Sequence, residues 1–268
     1  MTTLTHVLWI GGASASGKTT IATRLARRHG LRWYSADAHT WRHRDLALGA
    51  GHGAAARWES MTPDERNAAA VASPGELIRL NLDFERGQMI VDDLRELPDA
   101  PLVVADGSTV LPELVSHGQA DRERAVWLLP TFERHRAFHE AQGLGHLVRY
   151  RWLIVEEIER QAADVDVHVL RVDNDLGIDD AVAVVESLFA DAIEEGPRAV
   201  TPAERSALLR YANEAVVSQA RGYLARPWAT GDEATFLREF VCECDDPECT
   251  AVVGLAVADY APGVSAHG

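Results

Sequence analysis

The chain has 268 residues, 47% of them hydrophobic, and a formal net charge of −15. That length makes one large domain or one domain with an appendage, and no apolar run approaches the ~20 residues of a membrane span. The acidic excess works against nucleic acid and anionic membranes as partners, and three cysteines confined to one stretch near the C-terminus form no disulfide framework, which points to a reducing, cytoplasmic setting.

In chain order, His6–Ile10 is a short apolar run that stops at Gly11-Gly12, the pattern of a buried parallel strand. The octet Gly12-Ala13-Ser14-Ala15-Ser16-Gly17-Lys18-Thr19 then fits the phosphate-binding pattern G-x-x-x-x-G-K-[ST]. Lys18 is the only lysine; the other 25 of the 26 basic residues are arginine. An ammonium on a thin stem can lie along a glycine-rich backbone where a planar guanidinium is too wide. From Thr19 to His29 the apolar residues Ile21 and Leu25, a basic last turn and Gly30 predict a helix. Strand, loop and helix together make Gly12 to Thr19, with Thr20 behind them, the candidate nucleotide-binding residues, through backbone N–H groups and the helix N-terminus. Lys18 is also a catalytic candidate, and the Thr19 hydroxyl a candidate Mg²⁺ ligand. A plain glycine-rich turn between strand and helix is the alternative.

A second apolar run, Leu31–Ser35, leads to Ala36-Asp37. A carboxylate at the carboxyl edge of a parallel sheet stands where ligands bind and could take a proton from an attacking hydroxyl, so Asp37 is a candidate catalytic base; a helix N-cap is its other reading. The segment His39–Leu97 contains no convincing strand. Residues 38–100 suit a helical substrate cover or plain helical packing around the flexible stretch 49–53. The third run, Leu102–Ala105, ends at Asp106-Gly107, making Asp106 the second candidate metal group. Its rival, Ile90-Val91-Asp92-Asp93, continues without a turn into Leu94–Leu97 and reads as helix. After a fourth run, Arg124–Leu129, the segment 131–152 reads as a mobile lid with glycines 143 and 145 as its hinge. Its arginines 134, 136, 149 and 151 are sources of positive charge; the sequence does not select among them, and Arg134 and Arg149 stand as the catalytic candidates. The fifth run is Val167–Val172, and a helix follows from about 178 to 195.

Five runs joined by helical segments predict an α/β fold: a five-stranded, mainly parallel sheet with helices on both faces, over residues 1–196. From 197 to 268 a small α+β appendage is expected, opened by the capping pattern Thr201-Pro202-Ala203-Glu204. Its thiols are spaced C-x-C-x₄-C, as Cys242, Cys244 and Cys249. Structural zinc sites usually take four ligands, so a fourth would have to be Asp245, Asp246, the distant His267 or a second chain. Strand alternation instead sets Phe240, Cys242 and Cys244 on one core face, and the expectation is a chain without stoichiometric zinc.

The octet after a first strand, Asp37 after a second and Asp106-Gly107 after a third resemble the small P-loop kinases, including gluconate-, shikimate- and adenylate-kinase-like enzymes and chloramphenicol phosphotransferase. The resemblance spans roughly residues 4–195. It implies a P-loop NTPase fold, ATP and Mg²⁺ as cofactors, and transfer of a γ-phosphoryl group to a hydroxyl of a small molecule, a metabolite or an antibiotic. No acceptor-specific signature stands in residues 38–100. A neutral or cationic acceptor suits the net charge. A P-loop ATPase or nucleotide-dependent regulator, whose tail binds a partner, is the rival reading. The tail itself resembles a cysteine-bearing segment of actinobacterial proteins whose role is unassigned.

Overall fold

The computed structural model describes residues 3–267. Five strands, β1 (Val7–Gly12), β2 (Arg32–Ser35), β3 (Val103–Gly107), β4 (Ala125–Pro130) and β5 (His168–Val172), form one sheet in the order β2-β3-β1-β4-β5, with every pair parallel. The expected α/β class and its five strands are present. Alternation along the central strands divides the core into two layers. Trp9, Val103, Ala105, Trp127 and Leu129 face one side. Leu8, Ile10, Val104, Val126 and Leu128 face the other.

The second layer is covered by α1 (Lys18–His29), through Ile21 and Leu25, and later by α10 (Ile178–Leu188), through Val182 and Val185. Gly30, at a φ of 65°, caps α1 in the left-handed conformation that the sequence assigned to a glycine stop. Between β2 and β3 the described residues form no strand and carry five α-helices: α2 (Thr40–Gly49), α3 (Gly53–Ser60), α4 (Pro63–Ala72), α5 (Pro74–Leu80) and α6 (Gly87–Glu96). Ile90-Val91-Asp92-Asp93 lies inside α6, with Ile90, Val91 and Leu94 buried in the first layer, so this stretch is helix. A single-turn α7 (Glu113–Ser116) follows β3. Then α8 (Phe132–Ala141) and α9 (Val148–Val165) occupy the segment between β4 and β5, and α9 closes the first layer with Val155 and Ile158.

One expected helix is two. The run 178–195 breaks into α10 and α11 (Ala190–Glu195) at Phe189, whose side chain is buried in the second layer. After it, α12 (Pro202–Leu224) opens with the capping box read from the sequence: Thr201 Oγ1 accepts the Glu204 N–H, and the Glu204 carboxylate accepts the Thr201 N–H at 2.9 Å. This helix is not remote from the sheet. Tyr211 lies under the Arg32 guanidinium of β2, and the buried Arg226 just beyond the helix pairs with Asp45 of α2 at 2.7 Å. A two-stranded antiparallel sheet, β6 (Leu237–Val241) and β7 (Val252–Ala256), completes the expected appendage. Among the described residues no helix is long and apolar enough to cross a membrane.

Candidate functional site

The octet forms the turn from β1 into α1, at the carboxyl end of the central strand. Gly12 adopts a φ of 142° and lies so close to β4 that a Cβ would sit 2.3 Å from the Leu128 carbonyl oxygen. Gly17 is left-handed, at a φ of 81°, in the N-cap position of α1. Only glycine meets both demands without strain. Ala15 is also left-handed, at a φ of 69°. A loop of this kind turns successive N–H groups to one side and makes an anion-binding concavity. Ser16 Oγ donates to the Ala13 carbonyl at 2.7 Å and ties the loop's base to its apex.

Three further sequence candidates meet this loop. Lys18, the first residue of α1, is buried, and its Nζ lies 3.8 Å from Asp37 Oδ2. Thr19 Oγ1 donates to Asp106 Oδ2 at 2.8 Å. Asp106 is fully buried at the end of β3, with Oδ1 accepting the Trp33 indole N–H at 2.7 Å. Burial pushes the Asp106 carboxyl up to about 6; Lys18 opposes that shift and the nearby Asp37 adds to it. A threonine hydroxyl and an inward carboxylate beside a phosphate-type loop are the donor set a divalent cation takes in nucleotide sites.

Asp37 lies in a 3₁₀ turn, Ala36–His39, after β2. Its carboxylate caps no helix. Oδ1 accepts the Ser108 hydroxyl at 3.0 Å and the Ser108 N–H at 3.3 Å, which fixes the group and leaves Oδ2 toward Lys18. Gly107 permits this approach, since a Cβ there would stand 2.7 Å from Ala36 Cβ. Behind the turn is Arg86, a buried cation absent from the sequence reading. Its guanidinium donates to the Ala36 carbonyl and to Thr40 Oγ1, and its Nε to His43 Nδ1 at 3.0 Å.

The lid arginines separate. A cavity of about 590 Å³ opens over the loop, and Arg134, Phe138 and Arg151 line it opposite Lys18 and Thr19. Arg134 Nε donates to the Ala15 carbonyl and its Nη1 to the Asp173 carbonyl, both at 2.8 Å, so it joins the loop to the segment after β5. Arg151 Nε is buried and has no hydrogen-bond partner among the described residues. Arg149 instead pairs with Glu156 on the exposed side of α9 at 2.5 Å, and Arg136 pairs loosely with Glu140. Neither lines the cavity. Nothing in the sequence distinguishes position 149 from 151; helix phase does, because two residues differ by about 200° around the axis.

His139 is a further contact that the sequence did not offer. It is fully buried in α8, its Nε2 stands 3.2 Å from Ser14 Oγ, and its ring packs edge-on against His135. Desolvation, with Arg151 and His135 adding to it, lowers its pKa from 6.5 to about 4. The folded chain therefore holds this imidazole neutral, while the unfolded chain takes up a proton below pH 6.5. Its contribution to stability is complete above pH 6.5 and fades as pH falls toward 4. Asp106 works in the opposite sense between 3.8 and about 6, so the clean readout is a difference between proteins. We expect His139→Gln to lose less melting temperature than the wild type between pH 7.5 and pH 5, by scanning calorimetry at both pH values.

Comparison with protein-family models and with curated proteins returns no match.

Proposed function

We propose that the chain is an ATP-dependent phosphotransferase that moves a γ-phosphoryl group to a hydroxyl of a small molecule. The observation that supports this most directly is the meeting of Lys18, Thr19, Asp37 and Asp106 at one sheet edge, from three different strand ends. Connections leave β1 and β3 toward opposite sides of the sheet, and open parallel sheets bind ligands at such a crevice. In this reading the N–H groups of residues 12–19 hold the phosphates and Lys18 Nζ neutralises the charge that develops on them. Thr19 and Asp106 would hold Mg²⁺, which supplies charge neutralisation on the phosphate oxygens. Asp37 Oδ2 accepts the proton of the attacking hydroxyl, with Oδ1 held by Ser108 so that the free oxygen faces outward. Arg134 and Arg151 supply positive charge from the lid side. The helices between residues 40 and 96 form the wall on which an acceptor would rest.

The rival, an ATPase or nucleotide-dependent regulator, draws support from the tail. A second cavity, of about 380 Å³, lies between α1 and the hairpin, and Thr19 and Thr20 line it together with Glu239, Cys249 and Val252. A partner seated there would touch the helix that carries the phosphate loop. ADP release measured with ATP, Mg²⁺ and a library of small-molecule alcohols separates the two. A phosphotransferase gives release that rises with one chemical class, and the phosphoryl group is recovered on that compound. Release that no compound moves, with phosphate going only to water, overturns the phosphotransferase reading.

A further inference from the structure

The appendage brings four soft ligand atoms together. Cys242, Cys244 and Cys249 Sγ and one ring nitrogen of His267 all lie within 4.8 Å of one another. Cys249 Sγ and His267 Nε2 stand 3.3 Å apart. Zinc bound to three sulfurs at about 2.3 Å and one nitrogen at about 2.0 Å sets tetrahedral ligand atoms about 3.5–3.8 Å apart, so the cluster needs only a small contraction. Local structure explains the convergence. Asp246 Oδ1 accepts the Glu248 N–H, and the Asp246 carbonyl accepts the Cys249 N–H at 3.2 Å; this turn folds Cys249 back onto the pair before it. His267 arrives because buried Glu243 holds the chain ahead of it, accepting the Tyr260 hydroxyl at 2.7 Å and the Gly263 N–H at 2.6 Å. The plain core-face reading of the thiols holds in part. Phe240 and Cys242 are fully buried, but Cys244 is only half-buried and turns toward the cluster.

Two further observations point to a ligand. The first is charge. Arg27, near the end of α1, is buried beneath the thiols, donating to the carbonyls of Cys242, Cys244 and Asp246 and to Cys244 Sγ at 3.6 Å. Among the described residues no carboxylate lies within ion-pair distance of it. A Zn²⁺ held by three thiolates and a neutral imidazole carries a net charge of −1 and would serve as its counter-ion. The Ala266 N–H, 3.4 Å from Cys242 Sγ, supplies a second outer hydrogen bond of the kind that holds thiolate ligands. The second is size. The appendage's own buried cluster is Val217, Ala220, Phe240 and Val257, with Val216, Phe236, Leu255, Tyr260 and Val264 partly buried against it, a small core of the kind that a metal staple reinforces.

From this we infer that Cys242, Cys244, Cys249 and His267 form a structural zinc site that staples the hairpin and the C-terminal segment onto α1 through Arg27. The three thiols bind as thiolates and release their protons to solvent. With four protein ligands the site is closed, which makes its role structural and not hydrolytic. This reverses the expectation, drawn from a count of three cysteines, of a chain without zinc.

The test is metal analysis of the full chain purified under reducing conditions without chelators, followed by replacement of the metal with Co²⁺. One zinc per chain is expected, and the cobalt form should show thiolate-to-metal charge-transfer bands with the intense visible bands of tetrahedral coordination. His267→Ala should weaken zinc, measured by competition with a chromophoric chelator, by at least about 10²-fold. His267 is exposed, so the far-UV circular dichroism of that variant should match the wild type. A chain that retains no zinc and does not take it up when reconstituted overturns the site. Octahedral cobalt bands, or His267→Ala with unchanged zinc affinity, overturn the ligand set.

Discussion

Lys18→Ala is expected to lower nucleotide turnover by about 10²-fold or more while the protein stays folded. Lys18 is the first residue of α1, and among the described residues the ion pair of its Nζ is the 3.8 Å approach to Asp37, a group that is itself partly exposed. The hydrophobic layers beneath the loop are built from Ile21, Leu25 and the strands, and they do not include it. Its contribution to stability is therefore small, and its contribution to charge at the mouth of the loop is large. The same substitution leaves Asp106 without its lysine neighbour, so that carboxyl should hold its proton to higher pH. Lys18→Arg should be nearly as damaging. The guanidinium keeps the charge but is too broad for a channel bounded by residues 12–17. The measurement is steady-state ADP release beside a thermal melt, for both variants. Turnover near the wild type in either would remove the phosphate loop from the mechanism.

The sheet was legible because its three central strands, β1, β3 and β4, are buried along their whole length and end at a glycine or a proline. The octet was legible because its chemistry is local: one contiguous segment supplies the loop, the cation and the hydroxyl. Asp37 and Asp106 could be found because each follows an apolar run. What sets their surroundings was not visible. Trp33 reaches Asp106 only because β2 and β3 pair in the register that puts Trp33 beside Val104. Ser108 reaches Asp37 only because Gly107 allows the two turns to touch. Arg86 has partners at positions 36, 40 and 43, a set defined by packing of α6 against the turn after β2. Among the lid arginines, the choice between 149 and 151 depends on the phase of α9, which no spacing rule supplied. The tail is the reverse case. The thiol spacing left a fourth ligand open among Asp245, Asp246, His267 and a second chain, and it is the fold that draws His267, 18 residues beyond Cys249, back to that sulfur through the hydrogen bonds of Glu243.

Asp37→Asn is expected to lower phosphoryl transfer by about 10²–10⁴-fold with ATP affinity unchanged. The substitution keeps the shape of the side chain and its ability to accept the Ser108 hydroxyl through the amide oxygen. It removes the negative charge and the basic lone pair at the atom now facing Lys18. If Asp37 were a helix cap, asparagine would replace it with little change, because the two residues cap almost equally well. The hydrogen bonds argue against that role, since Oδ1 is used by Ser108 and the cap position of the turn is Ser35. A role confined to pairing with Lys18 predicts a third pattern: weaker ATP binding, because the lysine would be less well placed, with a smaller loss in the chemical step. Binding of ATP by calorimetry, kcat with a saturating acceptor and the melting temperature together distinguish the three. Loss in kcat alone, at constant affinity and stability, marks the base. An unchanged kcat removes Asp37 from proton transfer, and the attacking hydroxyl would then have to lose its proton directly to the phosphoryl oxygen or to water.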